Sequence, residues 1–245
     1  PVTGVQTCAL PISHTIPDSL AIVIKTSEGN IVYTGDFKFD QSAAVEYQTN
    51  FGRIADVGED YVLALLSDSS DAESTVENVS DRKVAETMLE TFMNAEGRII
   101  VACVASNILR IQQVINAAYE SGRKIFLTGS ELEEIVNIAL SLNKLTVPDK
   151  ELIVNFNQMK KLADDELVIL ETGNAGEPIK ALQKMALGRH RQVNLHEGDL
   201  VYIATTPSVA METQIARTKD LIYRADAEVF EMANSKKSSG HATPN

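Results

Sequence analysis

The 245 residues predict an α/β protein with two architectures, a mixed sheet near the start and then a doubly wound, mostly parallel sheet. Three observations carry that expectation. Two β-rich runs joined by a short turn lie early in the chain, and from Ser80 onward strand-like and helix-like runs alternate. Hydrophobic residues make up 44% and charged residues 23%, ordinary globular usage that sets aside disorder, collagen and coiled coil.

Residues 1–12 (PVTGVQTCALPI) show no clear period and resemble translated sequencing-adaptor read-through, so they are read as foreign to the protein and left out of the fold reasoning. Residues 20–26 and 30–35 flank Ser27-Glu28-Gly29 and read as a hairpin, with Gly29 free to take positive φ. Residues 61–67 form a continuous apolar run ending in Asp68, which predicts a buried strand. Ser80 caps a helix to about Glu96, with Val84, Met88, Leu89 and Phe92 on one stripe and Gly97 as its stop. Strands follow at 98–104, 124–128, 167–171, 200–205 and 228–230. Between them run helices opened by Ser106-Asn107 and at 131–142, 179–187 and 211–224. Such alternation means parallel strands with helices on both faces, and the change of pattern places a boundary near Asp68.

Lys+Arg 22 against Asp+Glu 34 leaves a net charge of −12 and a pI near 4.8, which argues against a non-specific nucleic-acid coat protein. An enzyme gripping RNA in one local groove is compatible with it. Arg123-Lys124, Lys160-Lys161, Arg189-His190-Arg191 and Lys236-Lys237 are candidates to line such a groove, although basic pairs are ordinarily solvated surface. No apolar run approaches the roughly 18 residues of a membrane span, so no membrane partner is expected. Cys103 reads as a buried reduced thiol, Cys8 stands alone, and no CxxC pairing exists; a reducing, cytoplasmic setting fits.

Ligands of a doubly wound sheet bind where strands end and helices begin. Those points are Ala105-Ser106-Asn107, Gly129-Ser130, Thr172-Gly173-Asn174-Ala175-Gly176 and Thr205-Thr206-Pro207. Small residues there simply make tight turns in the plainest reading. Four such loops on one edge, with a Gly-containing turn able to offer N–H groups, suggest a phosphate-bearing ligand. Dinucleotide and P-loop spacings are missing. Of the four histidines, His14 precedes the first hairpin strand and Asp36 ends the second, so a folded-back hairpin brings both to one rim. An imidazole with a carboxylate suits zinc or manganese, while a lone histidine beside a hairpin is ordinarily a hydrogen-bonded surface residue.

The strings Ser13-His14-Thr15-Ile16-Pro17-Asp18-Ser19 and Tyr33-Thr34-Gly35-Asp36-Phe37-Lys38-Phe39-Asp40 resemble the ribonuclease J family, metallo-β-lactamase-fold nucleases with a β-CASP insert. The likeness continues in Leu63–Ser69, Ala105-Ser106-Asn107 with Arg110 to Gln113, Thr172-Gly173 with Gly176-Glu177-Pro178, and Ser239-Gly240-His241, and so spans residues 13–242. The resemblance implies a partial metallo-β-lactamase domain at 13–67, a β-CASP domain at 68–232 and the start of a return to the first domain at 233–245. It implies His14 as a metal ligand, Asp36 as the bridging and catalytic carboxylate, and Asp68 as the acidic, catalytic first β-CASP motif. Ser106, Asn107, Arg110, Thr172, Gly173, Asn174, Gly176, Lys237, Ser239, Gly240 and His241 match segments that line the RNA path and receive its 5′-monophosphate. Two zinc ions, with manganese as the alternative, would serve phosphodiester hydrolysis.

Departures accompany the likeness. The family's HxHxDH motif is expected upstream of His14 and its final histidine motif beyond Asn245, so the chain alone is expected to be inactive. Leu109 and Lys237 stand where the family has histidines, and Asn174-Ala175 replaces serine and glutamine. These changes resemble the less active second paralogue. Two readings follow: a metal-dependent ribonuclease cutting internally and from the 5′ end, or a weakly active RNA-binding subunit that stabilises a catalytic paralogue in a hetero-oligomer.

Overall fold

A computed structural model describes residues 6–40, 42–74, 77–129, 132–174, 176–204, 211–230, 236–237 and 239–244, without the side chains of Glu46, Glu77, Lys236 and Lys237. The chain divides into two compact units, residues 1–83 with 235–245 and residues 84–234. The resemblance implies those lines at 67/68 and 232/233.

In the first unit, β1 (Gln6–Pro11), β2 (Leu20–Thr26), β3 (Gly29–Tyr33) and β4 (Val62–Leu66) form a four-stranded sheet in that order. β1 and β3 run antiparallel to β2, and β4 runs parallel to β3, so the sheet is mixed. The hairpin pairs Ile22 with Tyr33 and Ile24 with Ile31. Ala21 and Val23 share the other face with Leu10 and Ile12, under Ile54 and Val57 of α1 (Phe51–Glu59).

Three expectations are corrected in this unit. Residues 6–11, set aside as lacking a period, pair with residues 20–25 of β2, because Cys8, Leu10 and Ile12 alternate inward against outward Thr7, Ala9 and Pro11. Residues 51–59, to which the sequence pattern gives no element, fold as α1; the Asn50 side chain accepts from the Arg53 N–H at 3.1 Å and starts the helix. Residues 61–67 do contain a strand, but it is an edge, and Leu63 and Leu65 are 49% and 63% exposed. The strand β5 (Glu77–Asn78) follows.

The division between units falls within α2 (Asp81–Asn94). Beyond it come β6 (Ile99–Val104), α3 (Ile108–Glu120), β7 (Lys124–Gly129), α4 (Leu132–Ser141), β8 (Ile153–Val154), α5 (Phe156–Met159), β9 (Leu167–Gly173), α6 (Glu177–Ala186), β10 (Leu200–Ile203), α7 (Glu212–Tyr223) and β11 (Glu228–Phe230). Their strands form one parallel sheet ordered β11-β10-β6-β9-β7-β8. Central β6 and β9 are buried on both faces, which is why β6 reads as an unbroken apolar run and β9 as one from Leu167 to Leu170. Ile99, Val101 and Cys103 face Met88, Phe92, Ile111 and Ile115. Ile100 and Ala102 face Ile179, Leu182, Ile215 and Ile222 on the opposite side. Each fully buried side chain of that size contributes about 2 kcal/mol. The chain leaves β6 toward β7 and leaves β9 toward β10, in opposite directions along the sheet. The ends of these two neighbouring strands therefore open the crevice where such sheets bind ligands. Finally β12 (Lys236–Lys237) runs parallel to β5. Among the described residues, no helix is long and apolar enough to cross a membrane.

Candidate metal centre

The β2–β3 ribbon continues past its regular strands. Ser13 and Lys38 form an antiparallel bridge, with the Lys38 N–H donating to the Ser13 carbonyl at 2.9 Å. This puts His14 beside Asp36, Nε2 to Oδ2 at 3.9 Å, as the hairpin argument requires. The Nδ1 of His14 lies 2.9 Å from the Gly240 carbonyl, which can only accept. The proton therefore sits on Nδ1, which leaves Nε2 as an acceptor, with the Thr15 hydroxyl 3.5 Å from it. Gly240 is needed for this approach, because a Cβ there would stand 2.8 Å from Thr15 Cγ2 and 3.0 Å from His14 Cε1.

Asp68 follows β4. Its N–H donates to the Thr34 hydroxyl at 3.0 Å. Its Oδ1 accepts from the Ser70 N–H at 2.9 Å and the Ser70 hydroxyl at 2.7 Å. Its Oδ2 meets His241 Nδ1 at 2.7 Å. Burial works to raise the Asp68 carboxyl, but the hydrogen bonds from Ser70 and His241 outweigh it and hold it at about 2. An ionised carboxylate only accepts, so His241 carries its proton on Nδ1 as His14 does. The ligand atoms of Asp36, Asp68 and His241 all lie within 4.8 Å of one another, and the rings of His14 and His241 are 5.7 Å apart.

Around them lies a supporting frame. The His241 N–H donates to Ser239 Oγ at 3.1 Å, the Ser239 N–H to Asn78 Oδ1 at 3.0 Å, and Asn78 Nδ2 to the His241 carbonyl at 3.2 Å. Lys38 and Asp81 form a buried ion pair, and Asp40 accepts from the Asp81 N–H at 2.7 Å, which fastens the loop after Asp36 to the first turn of α2. Sequence reasoning missed Asn78, Thr34, Ser70 and Asp81. Only Ser70 carries a local signal, an Asx turn two residues after Asp68.

The remaining expected residues lie in the second unit. Ser106 is exposed after β6, while the Asn107 side chain accepts from the Arg110 N–H at 2.9 Å and caps α3. Arg110 is 5% exposed and donates to Gln113 Oε1 at 2.8 Å. The Gly173 carbonyl accepts from the Ala105 N–H at 3.0 Å, tying the loops after β6 and β9 together. Thr172 is buried, and its hydroxyl lacks a hydrogen-bond partner among the described residues. The Asn174 N–H, expected to be open to an anion, is taken by the Glu177 carboxylate at 2.7 Å, and Gly176 caps α6. Ser130, Ala175 and 205–207 lie outside the described residues; Lys237 lies in β12, its side chain outside them.

Sequence reasoning also passed over Glu171, hidden in the apolar run of β9. It is 3% exposed, and burial pushes its carboxyl up to about 7, with Glu177 adding to the rise and Thr128 and Lys184 opposing it. Its Oε2 lies 4.0 Å from His190 Nε2.

The family model described as "Ribonuclease J, beta-CASP domain" matches residues 96–222, just over half of the chain. The chain belongs to the ribonuclease J family. It is 52% identical over 230 residues to "Ribonuclease J 2" of Streptococcus pyogenes serotype M3, covering 94% of this chain and 42% of that protein. Likeness to "Ribonuclease J2" of Bacillus subtilis is 42% over 230 residues, covering 94% and 41%. The chain thus spans about two fifths of these relatives. A crystal structure of a protein of unknown function from Enterococcus faecalis V583 shares the fold, with a TM-score of 0.65 at 16% identity over 100% of this chain and 55% of that one.

Proposed function

We propose that the chain is part of a metal-dependent RNA hydrolase of the ribonuclease J type, acting in RNA processing and decay by internal cutting and from the 5′ end. The carrying observation is the gathering of Asp36, Asp68 and His241 within 4.8 Å, with His14 Nε2 turned toward Asp36. Two carboxylates and two imidazoles with their second nitrogens already committed are a donor set suited to zinc or manganese. Divalent ions bound there would supply Lewis-acid activation of water and neutralise charge on the phosphoryl group.

In this reading His14 and Asp36 are ligands, and Asp36 also holds the attacking water. Asp68, ionised, contributes a carboxylate and fixes the His241 ring. The crevice at the ends of β6 and β9, with Ser106, Asn107, Arg110 and the Thr172–Gly176 loop, receives RNA and its 5′-monophosphate; the buried Thr172 hydroxyl, without a partner among the described residues, supports that assignment. The setting is cytoplasmic, in a homo- or hetero-oligomer with a paralogue. The test is metal content together with cleavage of a 5′-monophosphorylated RNA by the uninterrupted reading frame. Chelator-sensitive cleavage abolished by Asp36→Asn is expected.

Leu109 and Lys237, standing where the family's pattern has histidines, favour a second reading, an RNA-binding subunit that stabilises a catalytic paralogue. Leu109 cannot donate a hydrogen bond to a phosphoryl oxygen. Metal-loaded protein that binds the same RNA and leaves it intact would select this reading.

A further inference from the structure

The basic pairs visible in the sequence separate once their surroundings are known. Arg123 is 4% exposed and donates to the carbonyls of Phe92, Ala95 and Gly97, a structural clamp. Lys124 pairs with Asp149 at 3.8 Å, and the Lys160 ammonium lies 4.1 Å from the centre of the Phe156 ring. Arg189 and Arg191 are different. Both are exposed, as are Lys180 and Lys184 on the preceding helix, and none of the four has an ion-pair partner among the described residues. From Pro178 to His196 the sequence holds these four cations and no acidic residue, in a chain whose net charge is −12.

The backbone gathers them. Lys180 and Lys184 stand four apart on α6 and so share a face. At its end Gly188 takes φ +67°, its N–H donates to the Met185 carbonyl at 3.2 Å, and the Arg189 N–H donates to the Lys184 carbonyl at 2.8 Å. This Schellman turn folds the chain back, so that the Arg189 backbone lies against the last turn beside Lys184. His190 then anchors the segment from inside. Its N–H donates to Asn194 Oδ1 at 3.0 Å, its Nδ1 accepts from the Val193 N–H at 3.1 Å, and its ring sits near buried Glu171. The Leu195 N–H returns to the Met185 carbonyl at 3.1 Å. With the ring between them held inward, Arg189 and Arg191 are left in solvent on a pinned loop.

We infer that Lys180, Lys184, Arg189 and Arg191 form a cationic strip that carries the phosphate backbone of single-stranded RNA away from the Thr172–Gly176 loop. The strip starts at that loop and follows α6 for about 15 Å. It rests on the proposed RNA-handling role and adds the route the strand takes. Unpaired cations on a preformed surface need give up no ion pair to bind, and they suit a polyanion of any base sequence.

The experiment is the salt dependence of binding of a fluorescein-labelled oligouridylate of about twenty nucleotides to this chain, followed by anisotropy. Each phosphate neutralised on a single strand contributes about 0.7 to the slope of log affinity against log salt. Replacing all four cations by Gln should flatten the slope by about 2 to 3 and weaken binding at least tenfold at low salt. Lys184→Gln with Arg189→Gln should flatten it by about 1.4. Lys25→Gln with Lys124→Gln, an equal loss of charge at cations already paired, should leave it unchanged. Equal slopes for parent and strip variants, or no binding by the parent, would overturn the strip. Displacement of the RNA by polyglutamate at equal charge would overturn it in favour of an acidic protein partner. The nuclease reading is decided separately, by metal content and cleavage, and neither of those depends on this strip.

Discussion

Replacing Glu171 by Gln should make the protein more stable at neutral pH. The Glu171 carboxyl is 3% exposed, and burial lifts it from the ordinary 4.5 to about 7 in the folded chain. A carboxyl raised in the native state binds its proton more tightly there than in the unfolded chain. Its contribution is therefore fully present below about pH 4.5 and is lost as pH rises through about 7. At about 1.4 kcal/mol per pH unit, the full loss amounts to about 3 kcal/mol. Gln keeps a similar shape and never ionises. Urea unfolding followed by far-UV circular dichroism at pH 5 and pH 8 would measure the difference. The variant should match the parent near pH 5 and exceed it by about 2 to 3 kcal/mol at pH 8. Two stability profiles running parallel across that range would refute the reasoning, since the buried carboxyl would then titrate as though it were in water.

Three other outcomes are expected. Gly240→Ala should weaken divalent-metal binding about tenfold, because its methyl group would push the His14 ring from its carbonyl partner; titration calorimetry with zinc would show it. Lys38→Met should cost about 3 kcal/mol in urea unfolding by stripping buried Asp81 of its ammonium, and adding Asp81→Leu should restore most of it. Cys103 is fully buried and its thiol is pushed up to about 12, so alkylation of the native protein should mark Cys8 alone, with Cys103 reacting only after denaturation.

The parallel sheet was legible because each of its main strands is an apolar run and each helix keeps a 3.6-residue stripe, such as Val84, Met88 and Phe92. The helix α1 was not. Two glycines interrupt it, and only Ile54 and Val57 mark its inner face. The strand at residues 6–11 was not legible either, because its alternation is short and Ala9 and Pro11 blur it. Residues 61–67 gave the right element and the wrong environment; hydrophobicity alone does not tell a central strand from an edge.

At the metal centre, the nearness of His14 and Asp36 follows from hairpin geometry, which is local. The Asp68–His241 contact joins residues 173 apart, and no spacing rule reaches that far. The resemblance to a family named both residues, but only the fold shows that they touch. Glu171 was invisible because one carboxylate inside an apolar run gives no periodic signal.

The most direct test of the metal centre is a zinc titration of this chain in competition with a chelating dye, repeated on the double variant Asp36→Asn with Asp68→Asn. Saturable binding by the parent that is lost in the variant is the expected result. A parent that takes no zinc from the dye, or a variant that takes as much as the parent, would contradict it.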